Sequence, residues 1–230
     1  MIPRRIRTVM IAALAWFGAN SLMRAQNAGR PPDLKRGAVI AAQGTAAGAP
    51  ACAGCHAFNG GSDASGAFPR ISRQSAVYLA SQLHDFATGV RASAVMSQVA
   101  KHMSPDDIAD VAAYYAAVDA PLLPLKAGDS ALIKRGELLA TVGSAEKQIP
   151  GCNNCHGPGG AGEPPSIPYL AGQYGSYIAS TLHLWQQGYR KSNPQGMGLI
   201  ARSLDDQDIA AVSAYYQHVP SSLVGDIAEY

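Results

Sequence analysis

The sequence predicts an all-α protein built from two copies of one small domain. The two halves align over roughly 85 of the 230 residues, at offsets that drift from 99 to 101. Apolar residues recur at helical spacing in both copies, and no stretch alternates between apolar and polar residues as a half-buried strand would. Two copies in the same order indicate duplication of a domain and not a solenoid, which needs about three or more units.

Each copy is expected to contain three to five helices. The first two helices of the copies are predicted at residues 33–43 and 75–88, and again at 130–142 and 175–187. The last helix has the clearest start, because Ser104 can cap it, Pro105 suits its first position and Asp107 follows three residues after the cap. Asp205 and Asp208 repeat this arrangement in the second copy.

These elements place the two domains at residues 33–119 and 130–220. A short, stiff linker at residues 120–129 carries Pro121 and Pro124.

The first 25 residues are typical of a signal peptide. A basic start is followed by an apolar run from Thr8 to about Gly18 and by small residues near Ala25. We therefore expect export to the periplasm, with an uncleaved leader that attaches the protein to the membrane as the alternative. Removing the four arginines of this segment leaves 14 basic residues against 16 acidic ones, so there is no electrostatic footprint for nucleic acid.

All four cysteines lie in two C-x-x-C-H segments, Cys52-Ala53-Gly54-Cys55-His56 and Cys152-Asn153-Asn154-Cys155-His156. This motif is the attachment signal of a c-type haem, in which two cysteines form thioethers and the histidine binds iron. Three alternatives are a pair of disulfides in an exported protein, a zinc site and a thioredoxin-like redox site. The pairs lie nearly 100 residues apart and no βαβ pattern surrounds them, which favours two covalent haem c groups with His56 and His156 as iron ligands.

The second axial ligand of each iron is predicted to be Met96 in the first copy and Met197 in the second. Each lies eight residues before the cap of the last helix, and 40 or 41 residues after the haem histidine. Thioether sulfur is a soft ligand that raises the potential of the iron. Met103 aligns with Leu204 and is expected in the core.

Histidine is the competing ligand, because His84 and His183 also occupy equivalent positions and would make both sites bis-histidine. Their place within a middle helix favours an ordinary packed or surface role. His102 and His218 are not repeated and are expected at the surface.

Two further repeated pairs are candidates for supporting the cofactor. The carbonyls of Pro69 and Pro168 can accept the other N–H of the haem histidines, with a plain turn as the alternative. Arg91 and Arg190 can pair with haem propionates, with a solvated loop arginine as the alternative. The tyrosine pairs that end both last helices are expected to pack in the core.

The sequence resembles the cytochrome c4 family, tandem dihaem electron carriers of bacterial periplasms, over about residues 34–219. The resemblance rests on C-x-x-C-H, the Phe68-Pro69-Arg70-Ile71 and Ile167-Pro168-Tyr169-Leu170 segments, the Gly-x-Arg turns and the Asp-Ile-Ala helices ending in tyrosine pairs. It implies two tandem class I cytochrome c domains, each around one covalently bound haem with His and Met ligands. Ala57 and Ser72-Arg73-Gln74 depart from the family, which has Gly and Ala-Gly-Gln there, as the second copy does.

The expected function is electron transfer without a substrate, since two six-coordinate irons leave no open position for chemistry. Expected partners are a dehydrogenase or cytochrome complex upstream and a terminal oxidase or reductase downstream, met in transient encounters. The alternatives are a permanent cytochrome subunit of one periplasmic dehydrogenase, and a dihaem enzyme or gas sensor with one open haem.

Overall fold

The computed structural model describes residues 30–63, 65–122 and 128–219. The expected signal peptide and residues 123–127 of the expected linker lie outside the described residues. The described residues from Asp33 onward form one compact unit that contains both copies. The domain boundaries given above stay a prediction. No helix in the described part of the chain is long and apolar enough to cross a membrane.

The all-α prediction is confirmed, with five α-helices described in each half. The first half contains α1 (Leu34–Gln43), α2 (Ala53–His56), α3 (Ala76–Thr88), α4 (Met96–Lys101) and α5 (Pro105–Ala117). The second half contains α6 (Ser130–Thr141), α7 (Asn153–His156), the 3-10 helix Pro158–Gly160, α8 (Gly175–Gln186), α9 (Met197–Ser203) and α10 (Asp206–His218).

Three details differ from the sequence prediction. A two-residue antiparallel ladder joins β1 (Gly143–Ser144) to β2 (Ile149–Pro150), too short to show any alternation. The short helices α4 and α9 were not located in advance, because six or seven residues give too little periodicity. His218 is half-buried and bonds through Nδ1 to the carbonyl of Ala214, whereas His102 is exposed as expected.

The first and last helices of each half cross at a glycine. A side chain at Gly37 would meet the carbonyl oxygen of Asp110 on α5, and one at Gly136 would meet that of Ala211 on α10. The arginine before each glycine binds the N-terminal carboxylates of the facing helix, so that Arg36 pairs with Asp107 and Arg135 with Asp208. The repeated Arg-Gly dipeptide therefore fixes the same helix pair twice.

The start of both last helices matches the sequence prediction. The side chain of Ser104 accepts from the N–H of Asp107, whose carboxylate accepts from the N–H of Ser104. Asp205 and Asp208 form the same reciprocal pair at α10. These capping boxes fix where α5 and α10 begin, just after the short helices α4 and α9 that carry Met96 and Met197.

The two halves meet along equivalent loops that follow α3 and α8. Arg91 and Arg190 face each other as an antiparallel bridge. On either side of it, the N–H of Ala92 donates to the carbonyl of Tyr189 and the N–H of Lys191 to that of Val90, both at 2.8 Å. The loops thus form a joint between the halves that follows the internal repeat.

Candidate haem sites

Each C-x-x-C-H segment folds as a single helical turn, α2 in the first half and α7 in the second. The first cysteine of each segment caps the turn and the histidine is its last residue. The backbone N–H of the histidine donates to the backbone carbonyl of that first cysteine at 2.9 Å in both halves. The turn therefore sets two sulfurs and an imidazole on one short element, as the thioether attachment of haem requires.

The alternatives to haem attachment find no support in this geometry. All four cysteines are free of disulfides. Burial raises the pKa of the Cys52 thiol to about 11 and also raises the pKa of Cys152, the opposite of a reactive redox cysteine. In the described residues, no cluster of three or more His, Cys, Asp or Glu side chains could hold a metal ion on its own.

Both haem histidines are buried and oriented by a backbone carbonyl. Nδ1 of His56 lies 3.1 Å from the carbonyl oxygen of Pro69, and Nδ1 of His156 lies 2.9 Å from that of Pro168. A carbonyl oxygen can only accept, so Nδ1 carries the hydrogen and the lone pair on Nε2 is free to bind a metal. Burial lowers the pKa of both imidazoles, although the carbonyl contact opposes it, and so favours the neutral form that a metal needs.

A continuous cavity of about 1490 Å³ contacts both turns. Pockets for a single small ligand have about 300–1,000 Å³, so this cavity is larger than one such site. It is lined by all four cysteines, both haem histidines and both predicted methionine ligands, which begin α4 and α9. His84 and His183 are absent from its lining; His84 is exposed and His183 bonds to Gln186 instead. Met103 packs against the core of the first half, as expected, and also lines the cavity.

Arg91 and Arg190 are buried at the joint between the halves, with 4% and 5% of their surface exposed, so neither is a solvated loop residue. Both donate to the side-chain oxygen of Gln82, at 2.8 and 2.7 Å. Arg91 also donates to the hydroxyl of Tyr177 at 2.8 Å, and Arg190 to that of Tyr78 at 3.2 Å. Neither guanidinium forms an ion pair with any carboxylate of the described residues.

Two buried cations without an anion make this part of the cavity strongly electropositive. Burial raises the pKa of Tyr177, but the two guanidinium groups outweigh it and the net shift is downward. Nε of Arg91 is buried with no hydrogen-bond partner among the described residues, and both arginines line the cavity. Haem carries two propionates, so the residues present fit that group: they supply the cations and a free donor that its anions need.

Sequence reasoning did not identify Gln82, Tyr78 or Tyr177 as part of this network. The two tyrosines occupy equivalent positions in the repeat. This recurrence of a polar side chain was the signal that could have identified them. Gln82 gives no such signal, because its equivalent is Thr181. The tyrosine pairs of the last helices pack in the core; Tyr115 and Tyr216 are 2% and 1% exposed.

Comparisons with known proteins agree with this arrangement. The family model "Cytochrome c" matches residues 35–118 and 144–220. A cytochrome c4 from Pseudomonas aeruginosa is 35% identical, over 72% of this chain and 82% of the relative. A protein named thiosulfate dehydrogenase electron acceptor, from Stutzerimonas stutzeri, is 38% identical over 76% of this chain and 82% of its own length.

Two solved structures extend the likeness to the fold. Reduced cytochrome c4 from Pseudomonas stutzeri superposes with a TM-score of 0.71 at 30% identity, over 82% of this chain and 99% of the other. A thiosulfate dehydrogenase (TsdBA) from Marichromatium purpuratum gives a TM-score of 0.76 at 39% identity, over 82% of this chain. The match spans 41% of the length of that second chain. Two matched domains, the helical fold and these relatives show that the chain belongs to the cytochrome c family, as a dihaem electron-transfer cytochrome of the cytochrome c4 type with two covalently bound haem c groups.

Proposed function

We propose that this protein accepts electrons from a thiosulfate-oxidising dehydrogenase of the periplasm and passes them to a downstream oxidase or reductase. The observation that carries the proposal is the pair of equivalent C-x-x-C-H sites on one cavity, together with the likeness of the chain to an electron acceptor of that dehydrogenase. Two irons that each bind a histidine and a methionine would leave no position for a substrate, so the chain would act as a carrier.

In each half the same residue types hold the cofactor. Cys52 and Cys55 would form the thioethers of the first haem, and His56 and Met96 would bind its iron. Cys152, Cys155, His156 and Met197 would have the same roles in the second half. The haem supplies the one-electron chemistry when bound; the protein orients the imidazole through the proline carbonyl and excludes water with the buried walls of the cavity.

Arg91 and Arg190 would bind the propionates in this arrangement. Because each guanidinium lies in the joint and both share Gln82, the anionic edges of the two haems would be held near the same surface. The negative propionates would neutralise the two buried guanidinium groups and so remove the free-energy cost of leaving them unpaired. Haem attachment would therefore also stabilise the joint between the halves.

The donor is tested with the mature holoprotein, produced in a periplasm that attaches haem. Thiosulfate and purified thiosulfate dehydrogenase are added to the oxidised cytochrome, and growth of the reduced α band is followed in a stopped-flow spectrometer. We expect both haems to be reduced at a rate that depends on the dehydrogenase concentration, and no reduction when either component is omitted. Failure of the complete mixture to reduce a cytochrome that dithionite does reduce would exclude this donor.

The closed coordination is tested with carbon monoxide. The visible spectrum of the reduced wild-type protein is expected to stay the same when carbon monoxide is added. Met96→Ala opens the first iron, so about half of the haem should bind carbon monoxide. Met103→Leu is the matched control, since it changes a methionine of the same half that also lines the cavity and should leave both irons closed. Carbon monoxide uptake by the wild type would favour an enzyme or gas sensor.

A further inference from the structure

One peptide group in the first half is hydrogen-bonded at both ends. The carbonyl of Pro69 accepts from Nδ1 of His56 at 3.1 Å. The N–H of the same peptide group belongs to Arg70, and it donates to the side-chain oxygen of Gln173 at 2.9 Å. Gln173 belongs to the second half, so the orienting group of the first haem histidine is held by the other domain.

The second half repeats this arrangement in the opposite direction. The carbonyl of Pro168 accepts from His156 at 2.9 Å, and the N–H of Tyr169 donates to the side-chain oxygen of Gln74 at 3.3 Å. Each glutamine also returns a hydrogen bond from its amide nitrogen. Gln173 donates to the carbonyl of Arg70 at 2.8 Å, and Gln74 to that of Tyr169 at 3.3 Å.

The hydrogen bonds of both glutamines are buried. Gln74 and Gln173 are 5% and 4% exposed, and Arg70 and Tyr169 are equally buried. A buried amide that lost its partners would leave polar groups unsatisfied, which costs free energy. The two glutamines are equivalent in the internal repeat, so each domain uses the same residue to hold the other.

The physical consequence follows from the peptide bond. Its N–H and C=O share delocalised electrons, and hydrogen bonds in a chain polarise one another. Donation of the N–H to glutamine makes the carbonyl oxygen more negative, and therefore a stronger acceptor for the imidazole N–H. A stronger acceptor raises the basicity of the imidazole as an iron ligand. A more basic ligand stabilises ferric over ferrous iron and lowers the reduction potential.

We infer that Gln74 and Gln173 are positioning residues through which each domain sets the basicity and orientation of the haem histidine in the other domain. This rests on the proposed roles of His56 and His156 as iron ligands. Because the contacts of Gln173 are shorter, its effect on the first haem is larger than the effect of Gln74 on the second. The potentials of the two haems therefore depend on the joint between the domains, beyond any direct interaction between the irons.

The test uses the full holoprotein with Gln173→Met, which preserves side-chain length but cannot donate to the carbonyl of Arg70 and is only a weak acceptor for its N–H. Spectroelectrochemical titration gives the two potentials, and NMR of the axial methionine methyl groups assigns each to its half. Gln173→Met should raise the potential of the first haem and leave the second unchanged. Gln74→Met should raise the potential of the second haem, by a smaller amount, and leave the first unchanged.

Tyr174→Phe is the matched control. The Tyr174 hydroxyl donates to the carbonyl of Gly61 across the same joint, and the variant loses this buried bond. It keeps the relay, which is the chain of hydrogen bonds from Gln173 through the Pro69–Arg70 peptide group to His56. It also keeps the backbone N–H of Tyr174, which donates to the side-chain oxygen of Gln173 at 3.1 Å. It should leave the potential of the first haem at the wild-type value. A shift equal to that of Gln173→Met would mean that loosening the joint, and not the relay, sets the potential.

The remaining outcomes are also decisive. If both glutamine variants keep the wild-type potentials and show His–Met spectra at both haems, the glutamines do not set the potentials. That result would not affect the proposed function. Wild-type spectra without His–Met coordination would overturn the ligand assignment itself. If Gln173→Met fails to fold, Gln74→Met still decides, because it tests the same relay in the other half.

Discussion

Ala57 occupies a backbone conformation that is normally reserved for glycine. It follows the first haem histidine with φ 60° and ψ 160°, and its equivalent Gly157 has φ 74° and ψ 167°. For a residue with a side chain this region costs about 1–3 kcal/mol. We therefore predict that Ala57→Gly stabilises the holoprotein.

The expected size follows from two opposing effects. Glycine removes the backbone strain but gains about 0.5–1 kcal/mol of conformational freedom in the unfolded chain. The net gain is about 1 kcal/mol, which for a protein of this size corresponds to a rise in Tm of about 2–4 °C. The carbonyl of Ala57 that accepts from the hydroxyl of Tyr115 is retained in the variant.

The assay is unfolding of the holoprotein by guanidinium chloride and by heat, followed by far-ultraviolet circular dichroism. The reverse change, Gly157→Ala, should destabilise by about 2 kcal/mol or more, because it adds the strain and also sets a Cβ 2.9 Å from the carbonyl oxygen of Gly162. Ala87→Gly is the control for the chemical change alone. It lies in the last turn of α3 and should cost at most about 1 kcal/mol.

The sign of the Ala57→Gly effect decides the question. A loss of stability similar to that of Ala87→Gly would refute the claim that Ala57 is strained. Equal effects of Ala57→Gly and Gly157→Ala would also contradict it, since the two changes must have opposite signs.

Two further predictions concern stability. Gly136→Ala places a Cβ against the backbone where α6 crosses α10 and should cost about 2–3 kcal/mol in guanidinium unfolding. Gly54→Ala, with nothing within 4 Å of its Cβ, should not destabilise the protein. The hydrogen bond from Lys147 depresses the pKa of Asp205 to about 2, so the carboxylate stabilises the folded state above its unfolded pKa of about 4 and loses that contribution as the pH falls towards 2. The difference in Tm between wild type and Lys147→Met should therefore shrink between about pH 5 and pH 2. A difference that stays constant over that range would rule out this ion pair as its source.

The sequence predicted most of the helices because their ends carry local signals. Capping residues such as Asp33, Ser104 and Asp205 fix helix starts through bonds to residues two or three positions away, so no distant contact is needed. In the short helices α4 and α9 the N-cap residues are Val95 and Gly196, and neither makes a side-chain hydrogen bond to its helix. Their existence depends on packing, which a local pattern does not reveal.

The haem motif and the internal repeat were determined by the sequence alone. C-x-x-C-H is a contiguous segment whose chemistry follows from its spacing, and duplication shows the cysteines and histidines of the motif twice. The repeat also singled out the methionines, the prolines and the arginines as pairs. The repeat, however, only shows which residues of the two halves are equivalent. It carries no information about how the two halves pack against each other.

The joint between the halves was decided by tertiary structure. Arg91 and Arg190 looked like loop residues in the sequence, yet they are buried because two equivalent loops pair across the joint. Gln74 and Gln173 have partners 95 and 103 residues away, beyond the reach of any local pattern. Long-range hydrogen bonds of this kind form only once two surfaces are brought together, and that is why the contacts linking the two haem sites emerge from the folded protein.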